Sequence, residues 1–340
     1  MKIFIILLTL SLTACADWQD ALFELGVDAE RSMSNLSEHK VSTAAHEWVY
    51  LSTDLSIKAS SADNKGDVTP ATEVIIMLHG FAVDKDNWIR FARNFPNHRI
   101  IIPDLPGHGE SSYNPELVYD FHNQVSWLND FTEQLKLTEF HLIGNSMGGG
   151  IAAYYAHTYS DKVSSITLID AAGVHPPQPS QLQKIIENNE PNPLIIRTEE
   201  DFDRLREFAM EDQPFLPWPA SRVLARKSMA RQAINDKIFA DINDYAERVK
   251  VSKENLKVLS EIQQPAFILW GREDRALDVS SVEVFEQYLP NSSSFIMDGV
   301  GHGPMIERPE ESAKLVLSFL NKIGEVSPSK SASKTLAAEE

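Results

Sequence analysis

Residues Gly144-Asn145-Ser146-Met147-Gly148 sit between an apolar run, Phe140 to Ile143, and a stretch of small residues opening at Gly149. A strand that turns at once into a helix through a serine flanked by glycines restricts the fold more than any other pattern in the chain. Gly144 and Gly148 let neighbouring backbone pass where a Cβ would crowd it, and the helix starting there aims its free N–H groups back toward the serine. A serine so placed is exposed and has anion-stabilising amides beside it, which makes Ser146 a candidate nucleophile.

The surrounding segments read as a sheet with helical connections. Short apolar runs at Glu73 to Leu78, Arg99 to Ile102, Phe140 to Ile143, Ser164 to Asp170, Ala266 to Trp270 and Ser294 to Met297 are expected strands. Helical spacing appears at Trp88 to Phe95 and at Val118 to Leu135. Strands alternating with helices of this length imply an α/β fold with a mostly parallel sheet covered on both faces, its ligands gathering at the carboxyl ends of the strands.

Serine is a poor nucleophile without a base and a third group to orient that base. Asp274 follows the strand ending at Trp270, and His302 lies in the glycine-rich turn Gly299-Val300-Gly301-His302-Gly303 after the last strand. The order serine, acid, histidine therefore brings three groups to one sheet edge. His302 is the expected base among 10 histidines. Asp278 is the first alternative acid, ahead of Glu273 and Asp298. His79 and His108 flank glycines and are read as loop-shaping residues, and His141 as a packed strand residue. The backbone N–H groups of Met147 and of Phe81, after His79-Gly80, are the expected oxyanion donors. No metal-ligand spacing is present, and no cofactor is expected.

The interval 173–264 breaks the strand rhythm. It is helical in texture and proline-rich at its start, which predicts a helical cap inserted above the carboxyl edge. Phe202, Phe208, Phe215, Leu216 and Trp218 are read either as cap packing or as an apolar acyl-binding wall, with Phe215, Leu216 and Trp218 the candidate substrate-binding residues. The cap separates core segments 71–172 and 265–324, and the Ser/Lys/Ala/Glu-rich segment 325–340 is expected to be a disordered tail.

With 31 basic against 49 acidic residues, the formal charge of −18 argues against phosphate-backbone binding, so no nucleic-acid partner is expected. Met1-Lys2 precedes the apolar run Ile3 to Leu12, too short to span a bilayer but suited to a signal-peptide core at 1–14. Leu12-Thr13-Ala14-Cys15 resembles the lipobox of bacterial lipoproteins. That resemblance implies acyl chains such as palmitate on Cys15, the only cysteine, and attachment to the cell envelope. Ala16 after the cysteine implies the outer membrane; a secreted protein is the alternative. Residues 15–70 read as an N-terminal extension, with a helix suggested at Trp18 to Leu25.

Taken together, His79-Gly80-Phe81, Lys85-Asp86-Asn87-Trp88, Asp104-Leu105-Pro106-Gly107-His108-Gly109, the elbow through Gly149, Trp270-Gly271-Arg272-Glu273-Asp274 and Gly301-His302 resemble the α/β-hydrolase superfamily over about residues 71 to 322. The nearest likeness is to capped bacterial lipases and membrane-associated monoacylglycerol lipases. The resemblance implies Ser146 as nucleophile, Asp274 as acid, His302 as base, and Phe81 and Met147 as oxyanion donors. It also implies acylglycerols, tri- or monoacyl, as substrates, with no obligate protein partner. A short-chain carboxylesterase, a serine-dependent carbon–carbon bond hydrolase and an inactive surface binding protein are the alternatives. A serine nucleophile argues against the dehalogenase and epoxide hydrolase relatives, which use aspartate there.

Overall fold

The computed structural model describes residues 2–53 and 73–326, with side chains described from Trp18 onward apart from those of Val251 and Val326. The signal-peptide and Cys15 readings, and most of the expected tail, fall outside those side chains. Helix α1 (Lys2–Met33) leads into strands β1 (Leu36–Ser42) and β2 (Glu47–Thr53). Then come β3 (Val74–Leu78), a helical turn ending in α2 (Ile89–Ala92), β4 (Arg99–Pro103), α3 (Phe121–Gln134), β5 (Phe140–Asn145), α4 (Met147–Thr158) and β6 (Val163–Ile169). Five helices follow before the sheet resumes: α5 (Gln181–Glu187), α6 (Glu199–Ala209), α7 (Ala220–Ala230), α8 (Gln232–Ser252) and α9 (Glu254–Glu261). β7 (Ala266–Gly271), α10 (Ser281–Tyr288), β8 (Ser292–Met297), α11 (Pro304–Glu307) and α12 (Pro309–Val326) complete the chain.

The eight strands among the described residues form one sheet in the order β1-β2-β4-β3-β5-β6-β7-β8. β1 and β2 are antiparallel, as are β2 and β4; every pairing from β3 and β4 onward is parallel. Apolar side chains alternate to the two faces, so that Ile76, Leu78, Leu142 and Ile268 join one core layer while Ile75, Met77, Ile143 and Leu269 join the other. β3 and β5 are buried almost throughout, as strands covered on both faces must be.

The sheet begins earlier than the expected core boundary at 71. β2 places Trp48, Val49 and Leu51 in the interior, and its pairing with β1 and β4 makes these two strands of the N-terminal extension part of the sheet. β1 is an edge strand with a single buried residue, Leu36, which explains why its polar sequence carries no strand pattern.

α1 is tied to both halves of the molecule. Arg31 makes a two-pronged pair with Asp86 at 2.8 and 2.7 Å, and Glu30 binds Arg90 and Arg93 on the core. Asp20 and Glu24 bind Arg226 and Lys227 on cap helix α7, each at 2.5 Å.

Candidate active site

Ser146 stands between β5 and α4 with φ +54° and ψ −120°, a conformation that L-residues rarely adopt. The turn is this tight because α4 starts almost on top of the strand that feeds it. A Cβ on Gly144 would lie 2.2 Å from the Gly148 carbonyl oxygen, and one on Gly148 would lie 2.3 Å from that of Leu78. Both positions therefore require glycine, which is the physical content of the G-x-S-x-G spacing.

Asp274 leaves the carboxyl end of β7 with its side chain buried. Its Oδ1 accepts the N–H groups of Ala276 and Leu277 at 2.7 and 2.9 Å, and its Oδ2 lies 2.7 Å from Nδ1 of His302. Nδ1 thus donates to the acid, and Nε2 is the ring nitrogen left for the serine. The weighed alternatives have other partners. Asp278 accepts from the N–H and hydroxyl of Ser280, Glu273 accepts from Val300 N–H, and Asp298 pairs with Arg272.

The histidine loop is held by residues that no motif announced. The side-chain amide of Asn145 donates to the backbone carbonyls of Ile169 and His302. Buried Glu307 accepts from Gly301 N–H at 2.9 Å and from Glu211 and Asp212 N–H at 2.8 Å each. One carboxylate therefore ties the His302 loop to the cap segment after α6. Burial pushes its pKa up, partly offset by those N–H donors.

The loop carrying Phe81 is equally well fastened. Lys85 binds buried Asp104 through both its backbone N–H and its ammonium, at 2.8 and 2.9 Å. His79 donates from Nδ1 to Gly80 O and accepts Leu105 N–H at Nε2, so its ring is neutral, and burial pushes its pKa down to about 4. Among the described residues, neither Phe81 N–H nor Met147 N–H donates to a backbone acceptor in a turn or cap.

Ser146 and His302 are the two polar side chains in the wall of a cavity of about 100 Å³. The rest of the wall is apolar: Phe81, Phe121, Met147, Ala172, Leu182, Leu194, Phe239, Ile242, Ala276 and Leu277. The expected substrate wall at Phe215, Leu216 and Trp218 is not part of it. Phe215 is 84% exposed, Trp218 is 60% exposed with its ring tilted against that of Trp18, and Leu216 packs into a small cap cluster with Ile196, Phe202 and Ala225. Their segment precedes α7 on the cap's outer side, whereas α8 supplies the cavity wall through Phe239 and Ile242, one helical step apart. The ring of Phe81 reaches Phe239 at 5.5 Å between centroids, so its side chain lines the cavity as well.

Comparison with known proteins agrees with this geometry. The model of the alpha/beta hydrolase fold family matches residues 73–309. Lipase 1 of Psychrobacter immobilis is 30% identical over 319 residues, covering 93% of this chain and 95% of that protein. Monoacylglycerol lipase abhd6-B of Xenopus laevis is 30% identical over 258 residues, covering 73% of this chain and 75% of its own. The crystal structure of a membrane phospholipase A, a bacterial virulence factor, is similar with a TM-score of 0.80 at 36% identity, covering 95% of this chain and 99% of that one. With its strand order, its serine turn and a family match over most of its length, the chain belongs to the α/β-hydrolase fold family.

Proposed function

We propose that the chain hydrolyses carboxylic esters of lipids, acylglycerols foremost, through an acyl-serine intermediate on Ser146. One observation carries the reading: Ser146 and His302, with Asp274 behind the histidine, face a cavity whose remaining wall is apolar. His302 Nε2 takes the hydroxyl proton as Ser146 Oγ attacks the ester carbonyl. The N–H groups of Phe81 and Met147 stabilise the developing oxyanion, His302 protonates the departing alcohol, and water then releases the acid by the reverse route. Drug-sized ligands occupy roughly 300–1,000 Å³, so a cavity of about 100 Å³ suits the reacting carbonyl and the start of one acyl chain rather than a whole glycerolipid. The lipid-ester activities in the names of the three relatives support the substrate class.

Turnover measured from short p-nitrophenyl esters through mono-, di- and triacylglycerols, with Ser146→Ala as blank, tests this. Long acyl chains are expected to be preferred. Phe239→Asp should lower kcat/KM for a long-chain ester by about 30-fold, the loss of roughly 2 kcal/mol of apolar contact, while an acetate ester changes less than about threefold on the same scale. A preference for short soluble esters would leave an esterase. Failure of an organophosphonate to label Ser146 would leave a binding protein.

We further infer a membrane address, with acyl chains on Cys15. Trp18, Leu22, Leu25 and Met33 fall on one face of α1 and are 43%, 48%, 66% and 62% exposed. Trp18 adjoins exposed Trp218 at 5.5 Å, which extends this apolar strip onto the cap. Among the described residues no helix is long and apolar enough to cross a membrane. A net charge of −18 gives no electrostatic attraction to anionic lipid, so adhesion must come from acyl chains and apolar contact. Cys15→Ala is expected to abolish incorporation of labelled fatty acid and to shift the protein from membranes into a mild wash. Undiminished labelling would overturn the anchor.

A further inference from the structure

Asp170 follows β6 in a left-handed conformation, φ +43°, with its side chain fully buried. Left-handed backbone at a non-glycine residue and a buried carboxyl are each unfavourable, and here both fall on one residue beside the candidate catalytic groups. Its Oδ1 accepts Gly271 N–H at 2.8 Å, while its Oδ2 is buried without a hydrogen-bond partner among the described residues. One oxygen of Asp170, one of Asp274 and a ring nitrogen of His302 lie within 4.8 Å of one another.

Two carboxyls this close in a dry site do not both ionise. Asp274 accepts three N–H donors and Asp170 only one, so Asp170 is the carboxyl with less to hold a charge. Burial first, and then the Asp274 charge, push the Asp170 carboxyl well above the usual carboxylate range, against the pull of Gly271 N–H. The titratable groups facing it are Asp274 after β7, His302 after β8 and Glu307 on α11, the last acting in the same direction as Asp274.

We propose that Asp170 is a reserve positioning residue, a neutral carboxylic acid beside the Asp274–His302 pair that ionises and takes over the orientation of His302 when the charge on Asp274 is removed. In that state the Asp170 proton passes to solvent base and His302 Nδ1–H donates to the Asp170 carboxylate. The proposal rests on the reading of Ser146, Asp274 and His302 given above.

The test compares Asp274→Asn with the double variant Asp170→Asn/Asp274→Asn, following kcat/KM on p-nitrophenyl butyrate from about pH 6 to about pH 9.5. Asp274→Asn should exceed the double variant by more than about tenfold at the top of that range, and the difference should shrink as the pH is lowered and Asp170 takes up its proton. Coincident profiles at every pH, with both variants far below the parent, overturn the role of Asp170 alone. Near-parental activity in both variants overturns the triad reading, and this one with it. Should the double variant fail to fold, proton NMR of Asp274→Asn decides: a low-field His302 Nδ1–H signal at about pH 9 that is lost near pH 6 supports the reserve acid, and its absence at both overturns it.

Discussion

Ser146→Ala is expected to lose roughly 10⁶-fold in kcat, the scale on which a serine hydrolase falls when its nucleophile is deleted, with Tm close to that of the parent. Ser146→Gly should lose the same activity but melt higher. The difference lies in the backbone. At φ +54° and ψ −120° Ser146 carries a Cβ where only glycine is comfortable, and alanine keeps that Cβ whereas glycine removes it. Relief of such strain is worth on the order of 1–3 kcal/mol, and the extra freedom of glycine in the unfolded chain costs about 0.5–1 kcal/mol. The net gain of about 1 kcal/mol corresponds to a rise of about 2 °C in a chain of this size. Activity assays alongside thermal melts of both variants check it; a Ser146→Gly protein that melts below Ser146→Ala would show that the turn stores no strain.

The serine turn, the six strands from β3 to β8 and the three candidate catalytic residues were legible because each is a local pattern: an apolar run followed at once by turn residues. What escaped depends on contacts between distant segments. β1 buries one side chain in seven, so its sequence reads as loop, and only pairing with β2 makes it a strand. Phe215 and Trp218 are as aromatic as a pocket wall but lie on the outer side of the cap, while Phe239 and Ile242 reach the cavity because of how α8 is laid across it. A helical texture in 173–264 does not say which face meets the serine. Asn145 sat inside the recognised motif, yet its bond to the His302 carbonyl links residues 157 apart. Glu307 and Asp170 belong to no motif at all. Their importance is a matter of burial and of which N–H groups point at them, which emerges only when the ends of β6, β7 and β8 are side by side.

Asp274→Asn should lower kcat by about 10⁴-fold near neutral pH, whereas Asp278→Asn should cost less than about threefold. Both changes remove one charge, and the two residues are four positions apart, so the contrast depends wholly on geometry. Asp274 Oδ1 is committed to two backbone N–H donors, those of Ala276 and Leu277. An asparagine must keep its carbonyl oxygen there, because its amide nitrogen offers those donors nothing. Its NH₂ group is then turned toward His302 Nδ1, which must become an acceptor instead of a donor. While Asp170 keeps its proton, the ring is held in the tautomer protonated on Nε2, facing Ser146 with nothing to accept the hydroxyl proton. Asp278 only receives the N–H and hydroxyl of Ser280 ahead of α10, and an asparagine oxygen does the same. Steady-state kinetics on one soluble ester, with circular dichroism to confirm folding, separates the two. A greater loss at Asp278 would exchange the roles and would detach the 2.7 Å contact between Asp274 and His302 from the chemistry.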